Sequence, residues 1–596
     1  MDTSSAESRD RLRQAIDGEI NSSEEFTRAL KSRRNALAPI SCLPPETLAA
    51  IFSLLPSSTW NKGAGNLEWI RVAHACRRWR EIALNHPRFW SYINFTKLTP
   101  AAVAEILARA KMAPLHLEAD FTRWSVAHPL FLESQLEAHI SHTCHLSISG
   151  HLQPVLGRLV SSAPTLEFLS LSHKSFMFPS LHIAIPVNLF NCIIPRLTSL
   201  ELENCDISWK SPLLKDLRTL KILRPSSEAR PKLEDWLDAL KEMPQLETLI
   251  LETATPLALP AAPLTEPSRT VTLPSLTIFD ISASARDCAL ALAHLVLPAL
   301  TRLCVNADSL EWEGGDVQLL VPYVARNVCG LQDTEPLRSI LISSESLRVK
   351  VTAWTMPDTD LNFYDPNTNS EFVPAHMTFA VTSTSWKYGV DTAILDVLLM
   401  RLPVNPVSNL TTLNITRLSK AFWLRHAPRW SLLDQACLVP TSIKGFRDML
   451  AEDAPSDGPR LPLLTKLTLV DVTVTALRTF HLCDMLMERV EQGVPLEILD
   501  LRACFAADRA IDLLKEIVVD VQEPLAAGTK PMEGPALFNW NGGLGYRFNE
   551  VEYDHDTSDF WPDNIYDDEE DDEDGAEYDE FVDDDYDDDY DAISMV

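Results

Sequence analysis

The stretch LTSLELENCDI, residues 197–207, decides how most of this 596-residue chain is built. Its leucines follow L-x-x-L-x-L at 197, 200 and 202, and Cys205 and Ile207 extend the pattern. A period of two puts Leu200 and Leu202 on one face of a short strand and Ser199, Glu201 and Glu203 on the other. So short a strand cannot bury its leucines by itself and needs neighbours of the same kind. Further copies begin at Leu166, Leu217, Leu246, Leu276, Leu300, Leu337, Leu410, Leu464 and Leu496. Proline stands shortly before many of them, at Pro164, Pro195, Pro244, Pro274, Pro298 and Pro495. The two widest intervals imply degenerate units, for instance at MTFAV, residues 377–381, and two insertions, 256–274 and 354–376, read as loops.

This recurrence resembles the degenerate form of the leucine-rich repeat. The resemblance implies an α/β solenoid, a horseshoe of strands joined by return segments, each unit stacking on the next. On such a horseshoe the residues between the leucines face the concave side. Glu201, Glu203, Lys221, Ile250, Glu252, Asp280, Asn414, Asp500 and Arg502 are accordingly the candidate substrate-binding residues. Their mixture of charged, amide and apolar groups suits a protein surface.

Upstream, residues 40–95 read ISCLPPETLAAIFSLLPSSTWNKGAGNLEWIRVAHACRRWREIALNHPRFWSYINF. Leu48, Ile51, Phe52 and Leu55 fall at i, i+3, i+4 and i+7, which predicts one helix after Pro44, Pro45 and Glu46. Trp69, Val72, Ala73 and Cys76 predict a second, and Trp79, Ile82 and Ala83 a third that stops at Asn85 and Pro87. Three helices this small cannot cover all their apolar residues among themselves, so some of that surface meets something else. The ordered set Leu43-Pro44-x-Glu46, Ile51-Phe52-x-x-Leu55, Val72-x-x-x-Cys76-Arg77-x-Trp79-Arg80-x-Ile82-Ala83 and Pro87-x-x-Trp90 resembles an F-box or F-box-like domain of fungal type. The longer connection from Pro56 to Glu68 departs from the compact form. The resemblance implies docking on the adaptor subunit of an SCF-type (cullin-RING) ubiquitin ligase, and through it on a cullin. Leu43, Pro44, Glu46, Ile51, Phe52, Leu55, Val72, Cys76, Trp79, Ile82 and Trp90 are the candidate adaptor-binding residues. The competing reading makes these helices a plain cap on the repeats, since an apolar helical stripe is usually core.

Charge divides the chain unevenly. The formal balance is −32, but residues 548–596 hold 24 Asp and Glu and no Lys or Arg, which leaves 60 acidic against 52 basic residues on 1–547. The expected organisation is a charged helix over 1–37, the F-box-like module over 38–96, a linker over 97–111, the solenoid over 112–507, a C-terminal cap over 508–547 and a disordered acidic tail over 548–596. The tail, with Tyr566, Tyr578, Phe581, Tyr586 and Tyr590 among its carboxylates, suits either solubilisation or capture of basic proteins. The acidic balance speaks against nucleic-acid binding. The longest apolar run, 288–300, is too short to cross a membrane and reads as a buried helix entering a strand. Eleven cysteines without a C-x-x-C pair and no signal sequence predict an intracellular chain, cytoplasmic or nuclear, with reduced thiols. His139, His142, Cys144 and His145, with His151 nearby, form the one ligand-like cluster, but they crowd into a single stretch, so no metal or cofactor is expected. With no phosphate-binding loop or nucleophile motif, the expected role is a non-catalytic receptor for an unidentified protein substrate. The alternative is a non-ligase scaffold or acidic chaperone.

Overall fold

A leucine row becomes a buried row when the next strand pairs in register, and parallel pairing achieves this repeatedly along the chain. The computed structural model describes residues 3–524 apart from 61–66, 97, 122–128, 175–181, 259–266, 312–313, 332–336, 346–347, 356–374, 384–389, 403–406, 414–417, 451–457 and 475. One sheet joins seventeen strands. They are β1 (Tyr92–Asn94), β2 (Leu115–Phe121), β3 (Thr143–Gly150), β4 (Phe168–His173), β5 (Ser199–Glu203), β6 (Thr219–Leu223), β7 (Thr248–Glu252), β8 (Ile278–Ser284), β9 (Arg302–Ser309), β10 (Ser339–Glu345), β11 (Arg348–Trp354), β12 (Met377–Ser383), β13 (Asn409–Leu413), β14 (Gln435–Leu438), β15 (Lys466–Val474), β16 (Ile498–Ala506) and β17 (Asp520–Gln522).

The repeat copies set the strand phase. At Leu166, Leu197, Leu217, Leu246, Leu276, Leu300, Leu337, Leu464 and Leu496 the first leucine is buried, and the strand begins two residues later. Leu410 breaks the phase because it lies inside β13, and the buried Val407 holds the position two residues before that strand. The interval between copies follows the return segment. The shortest, from Leu197 to Leu217, returns through turns without a helix. Longer ones hold helices such as Leu233–Lys241 and Ala285–Ala293. That second helix and the short strand Leu295–Val296 bear out the reading of 288–300.

Strands β1 to β9 pair in chain order, all parallel. The order then inverts. The parallel partner of β9 is β12, whose other neighbour is the antiparallel β11. In turn β11 pairs antiparallel with β10, and β10 pairs parallel with β13. Order resumes from β13 to β17. The hairpin follows from local sequence, because β10 and β11 are two β-rich runs only two residues apart, with Glu345 opposite Arg348. MTFAV, expected as a degenerate unit, is β12 itself.

Several boundaries differ from expectation. Residues 97–111, expected as a linker, hold the helix Pro100–Ala110, whose Val103, Ile106, Leu107 and Ala110 are buried and whose cap Thr99 accepts from the Ala102 amide. Past 507 the sheet continues through the helix Asp508–Lys515 into β17. The second segment of the N-terminal module is a 3₁₀-helix, Leu67–His74, not an α-helix. Trp69 with Val72 and Ile70 with Ala73 are pairs three apart and suit either period. The N-terminal helix Thr3–Ala36 is exposed at its described residues up to the half-buried Asn35, including Leu12, Ile16 and Ile20. Residues 525–596, which include the acidic tail, lie outside the described residues.

Arginines tie successive return segments together. Arg326 donates to the Leu292 and Leu295 carbonyls at 2.7 and 3.2 Å, and Arg429 donates to those of Leu399 and Leu402. Arg489 donates to Arg460, Leu461 and Leu464 at 3.1, 3.2 and 3.2 Å. Burial holds the Arg489 pKa down to about 10, so it is still charged at neutral pH. Replacing it by methionine removes a buried charge but takes a donor from three carbonyls, of which that of Leu461 keeps the Leu464 amide. Arg489→Met should destabilise the chain by about 1–3 kcal/mol, read as a lower urea midpoint, while the exposed Arg218→Ala stays within about 0.5 kcal/mol.

Candidate functional site

Two surfaces carry the candidate residues. The first is the N-terminal module, built from Pro45–Trp60, Leu67–His74, Arg77–Asn85 and the 3₁₀ turn Pro87–Trp90. An aromatic cluster forms its core, with Trp69 edge-on to Phe89 at 4.7 Å and to Trp90 at 5.4 Å, and Phe52 against Trp79 at 5.3 Å. Trp90 Nε1 donates to the Ala83 carbonyl at 2.8 Å, and the Arg109 guanidinium lies 4.5 Å from the Trp90 ring centroid. Arg78 pins the 3₁₀ turn Pro39–Cys42 at the module's entrance by donating to the Leu43 carbonyl at 2.6 Å and to that of Ser41.

This packing sorts the candidate adaptor-binding residues. Phe52 and Trp90 are each 2% exposed, so they hold the module's shape and offer no contact surface. Leu43, Leu55, Val72, Trp79 and Ile82 pack on the core while keeping part of their surface outside, and Cys76 is also half-buried. Pro44, Glu46 and Ile51 are exposed. Leu54, 66% exposed, was missed because Leu48, Ile51, Phe52 and Leu55 read as one stripe. The helix instead turns Leu48 and Phe52 inward and leaves Ile51 and Leu54, three apart, outside.

The second surface is the sheet face opposite the leucines. Register aligns its side chains in rows across strands. One row runs Glu201, Lys221, Ile250 and Asp280, and the next runs Glu203, Leu223 and Glu252. The expected substrate-binding residues on β5 to β8 are therefore neighbours. Lys221 pairs with Glu201 at 2.6 Å, and Arg224 bridges Glu252, at 3.1 Å, to Glu203. Burial raises the Asp280 pKa. Asp500 and Arg502 lie apart on β16, eight strand steps and roughly 40 Å from β8 at about 4.8 Å per step. Asp500 is 4% exposed and engaged by Arg502 at 2.7 Å, which removes it from any open surface. Asn414 lies outside the described residues.

The same face carries an aromatic row that sequence reading missed. Tyr92, His116, His145 and Phe168 are in register across β1 to β4, with Tyr92 stacked on His116 at 4.1 Å and His145 on Phe168 at 4.0 Å. A register shift at the start of the β2–β3 pairing lets Cys144 approach the Leu115 carbonyl at 3.2 Å and His116 Nε2 at 3.5 Å. The ligand-like cluster is thus divided. His139 and His142 meet at the helix end, and His145 joins the aromatic row. Among the described residues no three His, Cys, Asp or Glu side chains converge on a metal position.

Burial holds His116 and His145 down to about 4, and His145 adds to the shift at His116, so both rings are neutral at pH 7. Their ordinary value is 6.5, so between pH 6.5 and 4 the unfolded chain binds more protons. The stability from the neutral rings is complete above pH 6.5 and is lost as pH falls toward 4. The urea midpoint should decline over that window, and His145→Phe, which keeps an aromatic ring in the stack, should flatten the decline. An unaltered slope would contradict the assignment.

Comparison with known proteins agrees with the module's geometry. No curated protein matches the sequence. Among solved structures the chain is similar to one described as "Crystal structure of Rad7 and Elc1 complex in yeast", at 12% identity over 83% of this chain and 95% of that one, with a TM-score of 0.23. A likeness at that score decides neither fold nor function. The family model described as F-box-like matches residues 40–96. The helical module at the start of this chain is an F-box-like domain.

Proposed function

We propose that the chain is a non-catalytic substrate receptor of an SCF-type (cullin-RING) ubiquitin ligase. Its F-box-like domain docks on the adaptor subunit, and through that adaptor on a cullin. The open sheet face, which we read as that of degenerate leucine-rich repeats, holds a protein for ubiquitylation. One observation carries the reading. The domain completes an aromatic core yet leaves Ile51 and Leu54 exposed beside half-buried Leu43, Leu55, Val72 and Ile82. A helix that served only as a cap would have no use for exposed apolar residues opposite its core stripe. The receptor's contribution is proximity, which raises the local concentration of substrate near the ubiquitin-charged enzyme. We place it inside the cell, where its thiols stay reduced; the described cysteines are all free. No described helix is long and apolar enough to cross a membrane.

The scaffold or acidic-chaperone reading draws on a different observation. Phe89 and Trp90 join the core of the sheet end directly, so the domain does cap β1. Capping and docking use different faces, and the experiment separates them. Ile51→Asp with Leu54→Asp should leave the fold intact, as exposed changes usually do, and should reduce capture of the purified adaptor by at least about tenfold. Wild-type chain that fails to capture the adaptor favours the scaffold. Phe52→Ala should lose capture by another route, since opening a cavity in the aromatic core costs about 3–5 kcal/mol and loosens the domain, measured by proteolysis within 38–96.

A further inference from the structure

Four serines form a patch on the open face that the receptor reading does not account for. Ser147 and Ser149 on β3 stand in register with Ser170 and Ser172 on β4. On one flank β2 sets Glu118 beside Ser147 and Asp120 beside Ser149. On the other β5 sets Glu201 beside Ser170 and Glu203 beside Ser172. At the strand starts the patch ends on the stacked pair His145 and Phe168.

Side-chain length turns this pattern into relief. Serine reaches one atom beyond Cβ, while the flanking glutamates, His145 and Phe168 rise higher. The carboxylate-bearing strands β2 and β5 are three steps apart, about 14 Å. The result is a shallow basin with hydroxyls on its floor, carboxylates on two sides and aromatic rings at one end. The position after Phe168 in its row is Ser199, too short to cover the far face of that ring.

We propose that this basin binds a basic segment of the partner protein, with an arginine or lysine side chain lying over the serines between the two carboxylate flanks. Charge complementarity selects this occupant. On β2 to β8 the face holds Glu118, Asp120, Glu201, Glu203, Glu252 and Asp280, against Lys221 within the rows, Lys174 at the end of β4 and Arg224 at the end of β6, with Glu201 paired to Lys221 and Glu203 to Arg224. The surplus is negative, and an acidic peptide or a nucleic acid would be repelled. Serine hydroxyls accept hydrogen bonds from a guanidinium or ammonium group, and the open face of Phe168 offers a surface on which a guanidinium stacks. The neutral rings of His116 and His145 add no opposing charge at pH 7. Past β8 the row of Asp280 continues through Cys304, Thr378, Thr352 and Leu341, none of them charged, and the rows beside it mix Asp308 with Arg348 and Lys350, so the acidic surplus belongs to the half beside the F-box-like domain.

This inference deepens the receptor reading and rests on it for the role of the face. The test addresses the face alone. In the full-length chain Ser170 is replaced by the photoreactive residue p-benzoylphenylalanine, and the chain is irradiated with a peptide of alternating Arg and Ser. The same peptide with Gln or Glu in place of Arg serves as comparison. A cross-link at 170 reports the basin irrespective of any peptide held by the acidic tail. The expected result is an adduct with the Arg peptide at least about tenfold above either comparison, lost when Glu118→Gln and Glu201→Gln are added. Equal adducts with the Gln peptide, or an adduct indifferent to the two glutamine substitutions, would overturn the proposal. Thr219, on the same face, takes the probe if the Ser170 variant does not fold. Adaptor capture by the F-box-like domain is a separate measurement, so either reading can fail without the other.

Discussion

A five-residue strand with two inward leucines cannot stay folded alone, and every other feature of this chain answers that constraint. Each leucine is covered from the sides by the matching residue of the next strand and from below by the return segments. In-register pairing is the arrangement that does this repeatedly, since a slip of one residue would turn each leucine outward. The same register determines the other face. Residues that share a position in successive units become rows, so four serines separated in sequence meet as one patch, and four aromatic rings become one line. The surface chemistry is therefore a property of the register as much as of composition.

A sheet built this way has two ends, and both need cover. At the first the F-box-like domain supplies it. Trp90 stands two residues before β1, its indole is fixed to Ala83, and Arg109 from the next helix lies over it. The backbone is continuous across this junction, with the His116 amide donating to Ser91 and the Phe95 amide to Glu118, both at 2.8 Å. The domain and the sheet thus share a core, so a partner bound by the one would sit at a set distance from a partner bound by the other. Along the body, arginine clamps at Arg326, Arg429 and Arg489 donate to backbone carbonyls of the preceding return segment.

Much of this was legible in the sequence, for physical reasons that also mark where legibility stops. The L-x-x-L-x-L copies set strand phase because the first leucine closes the turn before each strand, and Leu410 misled because a valine does that work in its unit. Strands β1 and β2 escaped because their apolar residues do not follow the L-x-x-L-x-L spacing, and β14 because Ala436 stands between the buried Leu433 and Leu438 where the pattern asks for a second leucine. For the site, the helix stripe identified the core but not the exposed apolar pair, since one helix carries both Phe52 and Leu54. Asp500 looked like its counterparts on β5 to β8, yet its arginine partner two residues on closes it off. The inverted order of β10 to β12 could not be read at all, because no local pattern states which strand lies beside β9.

That inversion has a consequence for how the chain assembles. Up to β9 each strand finds its partner within the next few dozen residues, so folding can follow synthesis unit by unit. The partner of β9, however, is β12, and residues 310–376 must be made first. At about 5–20 residues per second the free edge of β9 waits several seconds on the ribosome, during which it can pair wrongly or recruit another chain. The second half of the sheet cannot propagate from the first until the β10–β11 hairpin has formed and been laid in place. Contact order thus jumps at one point in an otherwise local fold, which makes that step the slow one and divides folding into two stages.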